Sequence, residues 1–365
     1  MTLPQGRIDE YYMSCALELA ARGRECAPNP RVGCVIVRGG EIVGRGWHEK
    51  CGGPHAEVNA IRDAGSAAEG ASVYVTLEPC SHYGRTPPCA DLLIKSKAAR
   101  VVAGMRDPNP KVDGGGLEKL RSAGVEVKCG VLEDECRRMN RGFLRRMKLG
   151  RPWVTLKVAS SFDGKIALGN GESRWITGSE ARARVHLMRA ESDALLTGVG
   201  TILADDPMLT VRDAPGCTPR RVVLDRALRT PPEAKLLAGG CVTIFTLDSA
   251  PQERAEALEA AGAAIERVDK GADFLREVLE RLCASGVNYL MVEAGAALTG
   301  AFIASGLCDE LALFLAPKLM GRGISYTDGL SFASMEAVAR LKNTEYTKCG
   351  EDLLVRGVFA CSPDL

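Results

Sequence analysis

Histidine is scarce in this chain, with four among 365 residues, and aromatic side chains make up only 5%. No run of about 18 apolar residues occurs, which excludes an ordinary membrane-spanning helix. Excess charge of one sign is missing too: 47 basic against 46 acidic residues leave a formal charge of +1. That balance removes the electrostatic footprint of a nucleic-acid- or membrane-binding surface. It leaves room for a local basic pocket around a phosphorylated small molecule. The N-terminal stretch carries acidic side chains and lacks the apolar core and cleavage site of a secretory signal, so the expected address is the cytoplasm. Repeats and low-complexity segments are absent.

Cysteine is not scarce. Its fourteen copies are scattered through apolar segments such as "RVGCVIV" and "GCVTIF", where in a reducing compartment they read as small buried hydrophobes. The length suggests two domains, each able to bury its own core. Helical and strand periodicities alternate in both halves, which argues for layered α/β domains. The first half reads as a helix over "IDEYYMSCALELAARG", a hairpin around Arg38-Gly39-Gly40, and a helix from His55 to Ala64. The strands "ASVYVTL", "RVVAGM" and "VEVKCG" come next with helices between them, and a basic helix runs to about Lys148. Gly150 and Pro152 punctuate the chain, and the alternation restarts at "WVTLKVASS". The expected boundaries are 1–147 and 151–362.

Three residues stand out as a metal site. His55-Ala56-Glu57 is succeeded by Pro79-Cys80 and, eight residues further, by Cys89. Zinc in a catalytic site takes three protein ligands and leaves one position open, and His55, Cys80 and Cys89 supply that number. Glu57 is a poor competitor beside two thiolates and is better placed as a proton shuttle. Zinc deaminases carry H-x-E and then P-C-x-x-C, so the order fits while the cysteine spacing is longer. A structural zinc usually closes with four ligands, and Cys51 or His82 would then be the fourth.

The second half offers weaker signals. "TGVGTILADDP" holds Gly198 and Gly200 without the third glycine of a dinucleotide fingerprint, and the residues beyond them do not open a clean helix. "VEAGAALTGAF" ends a strand at Glu293 and opens a helix near Ala296. Its small residues either let a phosphate approach backbone N–H groups or serve close strand–helix packing.

The segments "PNPRVGCVIV", "GWHEKCGGPHAEVNA" and "EPCSHYGRTPPC" resemble the deaminase half of the bifunctional riboflavin-biosynthesis deaminase–reductases, in which the longer cysteine spacing is normal. "LKVASSFDGKIA", "GESRWITG", "GVGTILADDPMLTVR", "VEAGAALTGAF" and "FLAPKLMG" resemble its reductase half, so the likeness covers the whole chain. It implies an N-terminal cytidine-deaminase-like three-layer α/β/α domain and a C-terminal dihydrofolate-reductase-like α/β domain. The implied reactions are hydrolytic deamination of a phosphoribosylaminopyrimidine, with Zn2+ lowering the pKa of a water, and NADPH-dependent reduction of the ribosyl side chain to ribityl. Asn29 is implied as a pyrimidine contact, although a turn residue between two prolines is an equal reading. His48 and His82 either touch the substrate phosphate or are plain loop residues. Cofactor contacts implied in the reductase half are Ala159, Trp175, Thr201, Asp205 and Gly295. Substrate contacts implied there are Ser173, Arg189, Leu209, Arg212 and Glu293, with Lys157 a further reductase-site residue. Ala294 departs from the glycine common at its place, which puts the fit of that turn to the cofactor in question. The family assembles through its reductase half, so a homo-oligomer is expected. The alternatives are a single-activity zinc nucleotide deaminase with a regulatory second domain, and a zinc-stabilised binding protein without catalysis.

Overall fold

The computed structural model describes residues 4–83, 87–109, 112–212, 214–269, 271 and 273–363. The middle of the 81–88 loop, at 84–86, lies outside the described residues. The chain divides between Gly150 and Arg151 into two compact units.

In the first unit α1 (Gln5–Ala20), β1 (Gly33–Arg38), β2 (Glu41–Trp47), α2 (Ala56–Ala64), β3 (Ser72–Val75) and α3 (Cys89–Lys95) occur in order. Then come β4 (Arg100–Ala103), α4 (Gly115–Ser122), β5 (Glu126–Cys129), α5 (Glu133–Met139) and α6 (Arg141–Leu149). The β1–β2 hairpin turns at Gly39 and Gly40, with φ of 60° and 84°, the left-handed pair that matches strand twist. The sheet order is β2-β1-β3-β4-β5, and β3, β4 and β5 run parallel. Strand β1 shows why three layers form. Cys34 and Ile36 pack with Ala56, Ala60, Leu93 and Leu120 of α2, α3 and α4. Val35 and Val37 pack on the other face with Tyr12, Met13 and Ala16 of α1 and Leu144 of α6. A strand covered on both sides reads as a continuous apolar run, as "CVIV" does.

Helix α2 lies unusually close to β2. A Cβ on Gly46 would sit 2.3 Å from both the Ala56 carbonyl oxygen and the Ala60 nitrogen, and one on Gly44 would sit 2.5 Å from the Ala60 oxygen. The alanines of α2 and the glycines of β2 are therefore one packing device. The single basic helix expected to reach Lys148 is instead two, broken at Asn140. Its side-chain amide accepts from Arg31 N at 2.8 Å and donates to Arg31 O at 2.9 Å. That amide pairs with backbone across the unit, while the Asn140 backbone leaves helical geometry.

The second unit begins with β6 (Trp153–Ser161), β7 (Lys165–Leu168), α7 (Ser179–Ala190), β8 (Ala194–Gly198), α8 (Val199–Asp205) and β9 (Arg220–Leu224). It continues through β10 (Val242–Leu247), α9 (Gln252–Ala260), β11 (Ala263–Val268), α10 (Phe274–Ala284), β12 (Tyr289–Glu293) and α11 (Ala296–Ala304). It ends with β13 (Glu310–Ala316), β14 (Gly323–Ser325), β15 (Leu341–Cys349) and β16 (Asp352–Phe359). Nine strands form one sheet in the order β11-β10-β9-β8-β12-β6-β13-β16-β15, parallel except for the β13–β16–β15 end. One face packs Val154, Leu156 and Val292 against Phe274, Val278 and Leu282 of α10. The other packs Leu195, Met291 and Phe314 against Val185 and Met188 of α7. The stretch after Gly198, expected not to begin a clean helix, does begin one; α8 is too short for its period to show in sequence.

A buried ion network ties α1 to the first sheet. The Asp9 carboxylate accepts from Arg100 Nη1 at 2.7 Å, Lys128 Nζ at 2.9 Å, Tyr74 Oη at 3.0 Å and Gln5 Nε2 at 3.0 Å. Burial alone would raise its pKa, but these donors hold it well below the usual carboxylate range. Removing one partner of such a network leaves uncompensated charge, so Asp9→Ala is expected to lower unfolding free energy at neutral pH by about 3 kcal/mol. Because the folded pKa is depressed, the Asp9 contribution is complete above its ordinary value of 3.8 and is lost as pH falls below it. Denaturant titrations of wild type and Asp9→Asn should therefore differ at pH 7 and converge in acid.

Candidate active sites

His55 is the N-cap residue of α2, with φ −72° and ψ 162°, and its side chain makes no capping bond, so the imidazole is available to a ligand. Pro54 immediately precedes this cap residue. Cys80 lies in the loop after β3, and Cys89 is the first residue of α3. His55 Nδ1 stands 3.6 Å from Cys80 Sγ and 3.3 Å from Cys89 Sγ, and the three donor atoms lie within 4.8 Å of one another. Around a tetrahedral zinc, nitrogen and sulfur donors sit about 3.5–3.8 Å apart, so the set fits that ion. Among the described residues neither Cys51 nor His82 joins the cluster. The hydrogen bond from Cys89 draws the Cys80 pKa down, and the same pairing together with burial pushes Cys89 up. A bound cation would hold both as thiolates.

Glu57, in the first turn of α2, is 4% exposed, and burial reinforced by the Cys80 charge pushes its carboxyl up to about 7. It lines a cavity of about 180 Å³ together with Asn29, His48, His55, Cys80 and His82. His48 Nδ1 lies 3.0 Å from the Pro54 carbonyl, which can only accept, so that nitrogen carries the proton. His48 Nε2 then accepts from the Asn29 amide at 3.2 Å, and burial lowers the His48 pKa. The clamp of Asn140 on Arg31 steadies the loop that bears Asn29. Sequence reasoning missed further lining residues, among them Glu78 and the group Asp107, Asn109 and Val112. The signal of that group is the turn-rich "DPNPKVDGGG" at the carboxyl end of β4, where α/β proteins place ligand-binding loops. Burial pushes Asp107 up to about 6.

The second unit has its own cleft, of about 560 Å³. Its lining includes Lys157, Ala159, Ser173, Trp175, Arg189 and Thr201, and also Asp205, Leu209, Arg212, Glu293 and Gly295, so the fold brings all the expected positions together. Lys157 lies within β6 in register with Glu293, not at a strand end. Glu293 is the last residue of β12, and Arg189 Nε and Nη2 grip its carboxylate at 2.6 and 3.0 Å. Lys157 Nζ approaches the same carboxylate to 3.5 Å. Burial opposes ionisation of Glu293, yet the Arg189 and Lys157 charges win and bring its pKa to about 2. Arg189 Nη1 also donates to the Thr210 carbonyl at 2.9 Å, so the guanidinium is committed on three sides before any ligand arrives. Arg182, His186 and Arg189 occupy one face of α7 at helical spacing, a periodic signal the sequence carried unread. The Arg182 guanidinium lies 4.5 Å from the Trp175 ring centroid, and Arg174 donates to the Asp205 carbonyl at 2.7 Å. A Cβ on Gly200 or Gly295 would meet nothing within 4 Å, so the start of α11 is open to a phosphate. Gly295 has φ −74° and ψ 179°, and Ala294 is not among the residues of positive φ, so alanine at 294 costs this turn nothing.

Residues 7–105 match the cytidine and deoxycytidylate deaminase zinc-binding region, and residues 152–355 match the RibD C-terminal domain. The riboflavin biosynthesis protein RibD of Escherichia coli is 44% identical over 96% of this chain and all of its own length. That of Aquifex aeolicus is 43% identical over 95% of this chain and 98% of its own. The chain belongs to the bifunctional riboflavin-biosynthesis deaminase–reductases. The solved structure of Acinetobacter baumannii RibD is 41% identical, with a TM-score of 0.89, over 97% of this chain and 99% of its own. A Thermotoga maritima structure, named as a diaminohydroxyphosphoribosylaminopyrimidine deaminase and 5-amino-6-(5-phosphoribosylamino)uracil reductase, is 36% identical with a TM-score of 0.87. It covers 98% of this chain and is itself covered completely. The two halves thus have the cytidine-deaminase-like and reductase folds that the sequence implies, and the protein is a zinc-dependent deaminase and NADPH-dependent reductase of riboflavin biosynthesis. A regulatory, non-catalytic second half is not favoured, since that half carries the reductase family match.

The Arg189–Glu293 pair generates a prediction. A lysine cannot grip a carboxylate with two parallel N–H bonds, so Arg189→Lys should cut reductase kcat/KM by about tenfold or more. Ammonia release by the same protein should be unchanged.

Proposed function

We propose that residues 1–147 deaminate a phosphoribosylated diaminopyrimidine and that residues 151–362 reduce the ribosyl side chain of the product. The observation that carries the first assignment is the His55, Cys80 and Cys89 donor triangle with a buried glutamate two residues beyond His55, in the first turn of α2. In this reading the three residues hold Zn2+, whose chemistry is to make a water nucleophilic near neutral pH. Glu57 accepts the proton of the attacking water at its carboxylate and delivers it to the ring nitrogen, then takes the remaining proton of the added hydroxyl and passes it to the departing amine. Burial suits that role, because a shuttle must both take and release a proton. Asn29 contacts the edge of the pyrimidine, with its amide steadied by His48.

In the second unit the cleft would hold NADPH, which when bound would supply the hydride that reduces the ribosyl side chain. Ala159, Trp175, Thr201, Asp205 and Gly295 border the cofactor, with α11 presenting its first N–H groups to a phosphate. Ser173, Leu209 and Arg212 contact the substrate, and Arg189 does so through the N–H groups that Glu293 and Thr210 leave over. Lys157 and Glu293, a charge pair inside the cleft, orient the ribose hydroxyls. Assembly as a homo-oligomer through the second unit belongs to the same reading: β15 lies at the edge of its sheet, and an exposed edge is commonly covered. The site is cytoplasmic in this reading; among the described residues no helix is long and apolar enough to cross a membrane.

Glu57→Gln tests the deaminase assignment. Zinc content should match wild type, while ammonia release falls about 10²–10⁴-fold. Unchanged turnover would remove Glu57 from the mechanism. The reductase assignment is checked by absorbance: the deaminated intermediate should drive NADPH oxidation by the full-length protein, and no oxidation would refute it.

A further inference from the structure

Glu78 stands two residues before Cys80 and is 3% exposed. It lies at the wall of the deaminase cavity, where its carboxylate collects four backbone N–H groups. Oε1 accepts from Gly116 at 2.9 Å and Leu117 at 3.3 Å; Oε2 accepts from Gly114 at 3.0 Å and Asp107 at 3.2 Å. The Glu78 N–H donates to the Met105 carbonyl at 3.0 Å, so backbone and side chain grip the same strand exit. The stretch between these contact points includes Asp107, Asn109 and Val112, which line the deaminase cavity. Behind it there is no slack, because a Cβ on Gly116 would lie 1.8 Å from the Pro79 carbonyl oxygen.

The geometry points to a positioning role: we propose that Glu78 joins the loop bearing Cys80 to the segment bearing Asp107 and Asn109, and so sets the wall against which the pyrimidine substrate is bound. Several observations converge. A buried carboxylate that accepts four backbone N–H groups is a strong, directional tie. The donors flank Asn109 and Val112 in the chain, so a single side chain ties the backbone on both sides of these cavity-lining residues. Glu78 itself does not belong to the donor triangle. Release of this tie should therefore loosen substrate binding while leaving the chemical step in place, which is a KM effect and not a kcat effect. The inference rests on the deaminase reading of this cavity, which the Glu57 variant tests separately.

The experiment uses full-length Glu78→Gln. The amide keeps the shape but turns one acceptor end into a donor that faces backbone N–H groups. Ammonia release is measured against substrate concentration, with zinc content and NADPH oxidation determined on the same preparation. The expected result is a KM about tenfold higher, in keeping with the cost of misplaced binding groups, with kcat, zinc and reductase rate retained. Gly116→Ala displaces the same segment with Glu78 intact and should raise KM in the same way. An unchanged KM in either variant overturns the proposal. So does loss of zinc in Glu78→Gln, which would make Glu78 a support of the metal loop, or a fall in kcat at constant KM.

Discussion

The deaminase centre depends on the closeness of α2 to β2. Backbone meets backbone there, through Gly44 and Gly46 on the strand and Ala56 and Ala60 on the helix. A side chain larger than hydrogen at either glycine would push the helix outward and carry His55 and Glu57 with it. Small residues, usually read as a lack of information, here set the position of one metal donor and the buried glutamate together. The remaining two donors arrive independently, one from the exit of β3 and one at the first residue of α3. Three separate elements thus converge within hydrogen-bonding distance because a single sheet orders them all.

The two halves treat buried acids in opposite ways. In the first cavity Glu57 and Asp107 face few cations, and burial keeps their carboxyls difficult to ionise. In the second cleft Glu293 is also largely withdrawn from solvent, but Arg189 and Lys157 hold it ionised. One environment suits a group that exchanges protons; the other builds a charge pair that does not titrate near neutrality. That difference comes from which side chains surround each carboxylate, not from the carboxylates themselves.

Much of the architecture was legible in the chain. The order of His55, Glu57, Cys80 and Cys89, the hairpin at Arg38-Gly39-Gly40 and the helix opening near Ala296 all derive from spacing and local residue type. Other features were not legible. Strand β11 comes after α9 and a short turn and carries Glu266 and Arg267 in its second half, and β15 is almost wholly exposed, so neither shows the apolar run of a buried strand. The break at Asn140 depends on Arg31, more than a hundred residues away, which no local pattern announces. Asp107 and Asn109 escaped notice because a Pro- and Gly-rich segment reads as a turn, and only the fold shows that the turn is a wall.

The sequence by itself determined the chemistry: two α/β units, a His–Cys–Cys donor set with a glutamate beside it, and a second unit with phosphate-compatible turns. These are properties of residue type and short-range spacing, and both are written along the chain. Tertiary structure alone decided how each group is tuned. Arg189 lies 104 positions from Glu293, and Glu78 lies 38 from Gly116, so their pairing exists only once sheets bring distant segments within about 3 Å. Hydrogen bonds and desolvation act at that range, and contacts of that range are what folding creates.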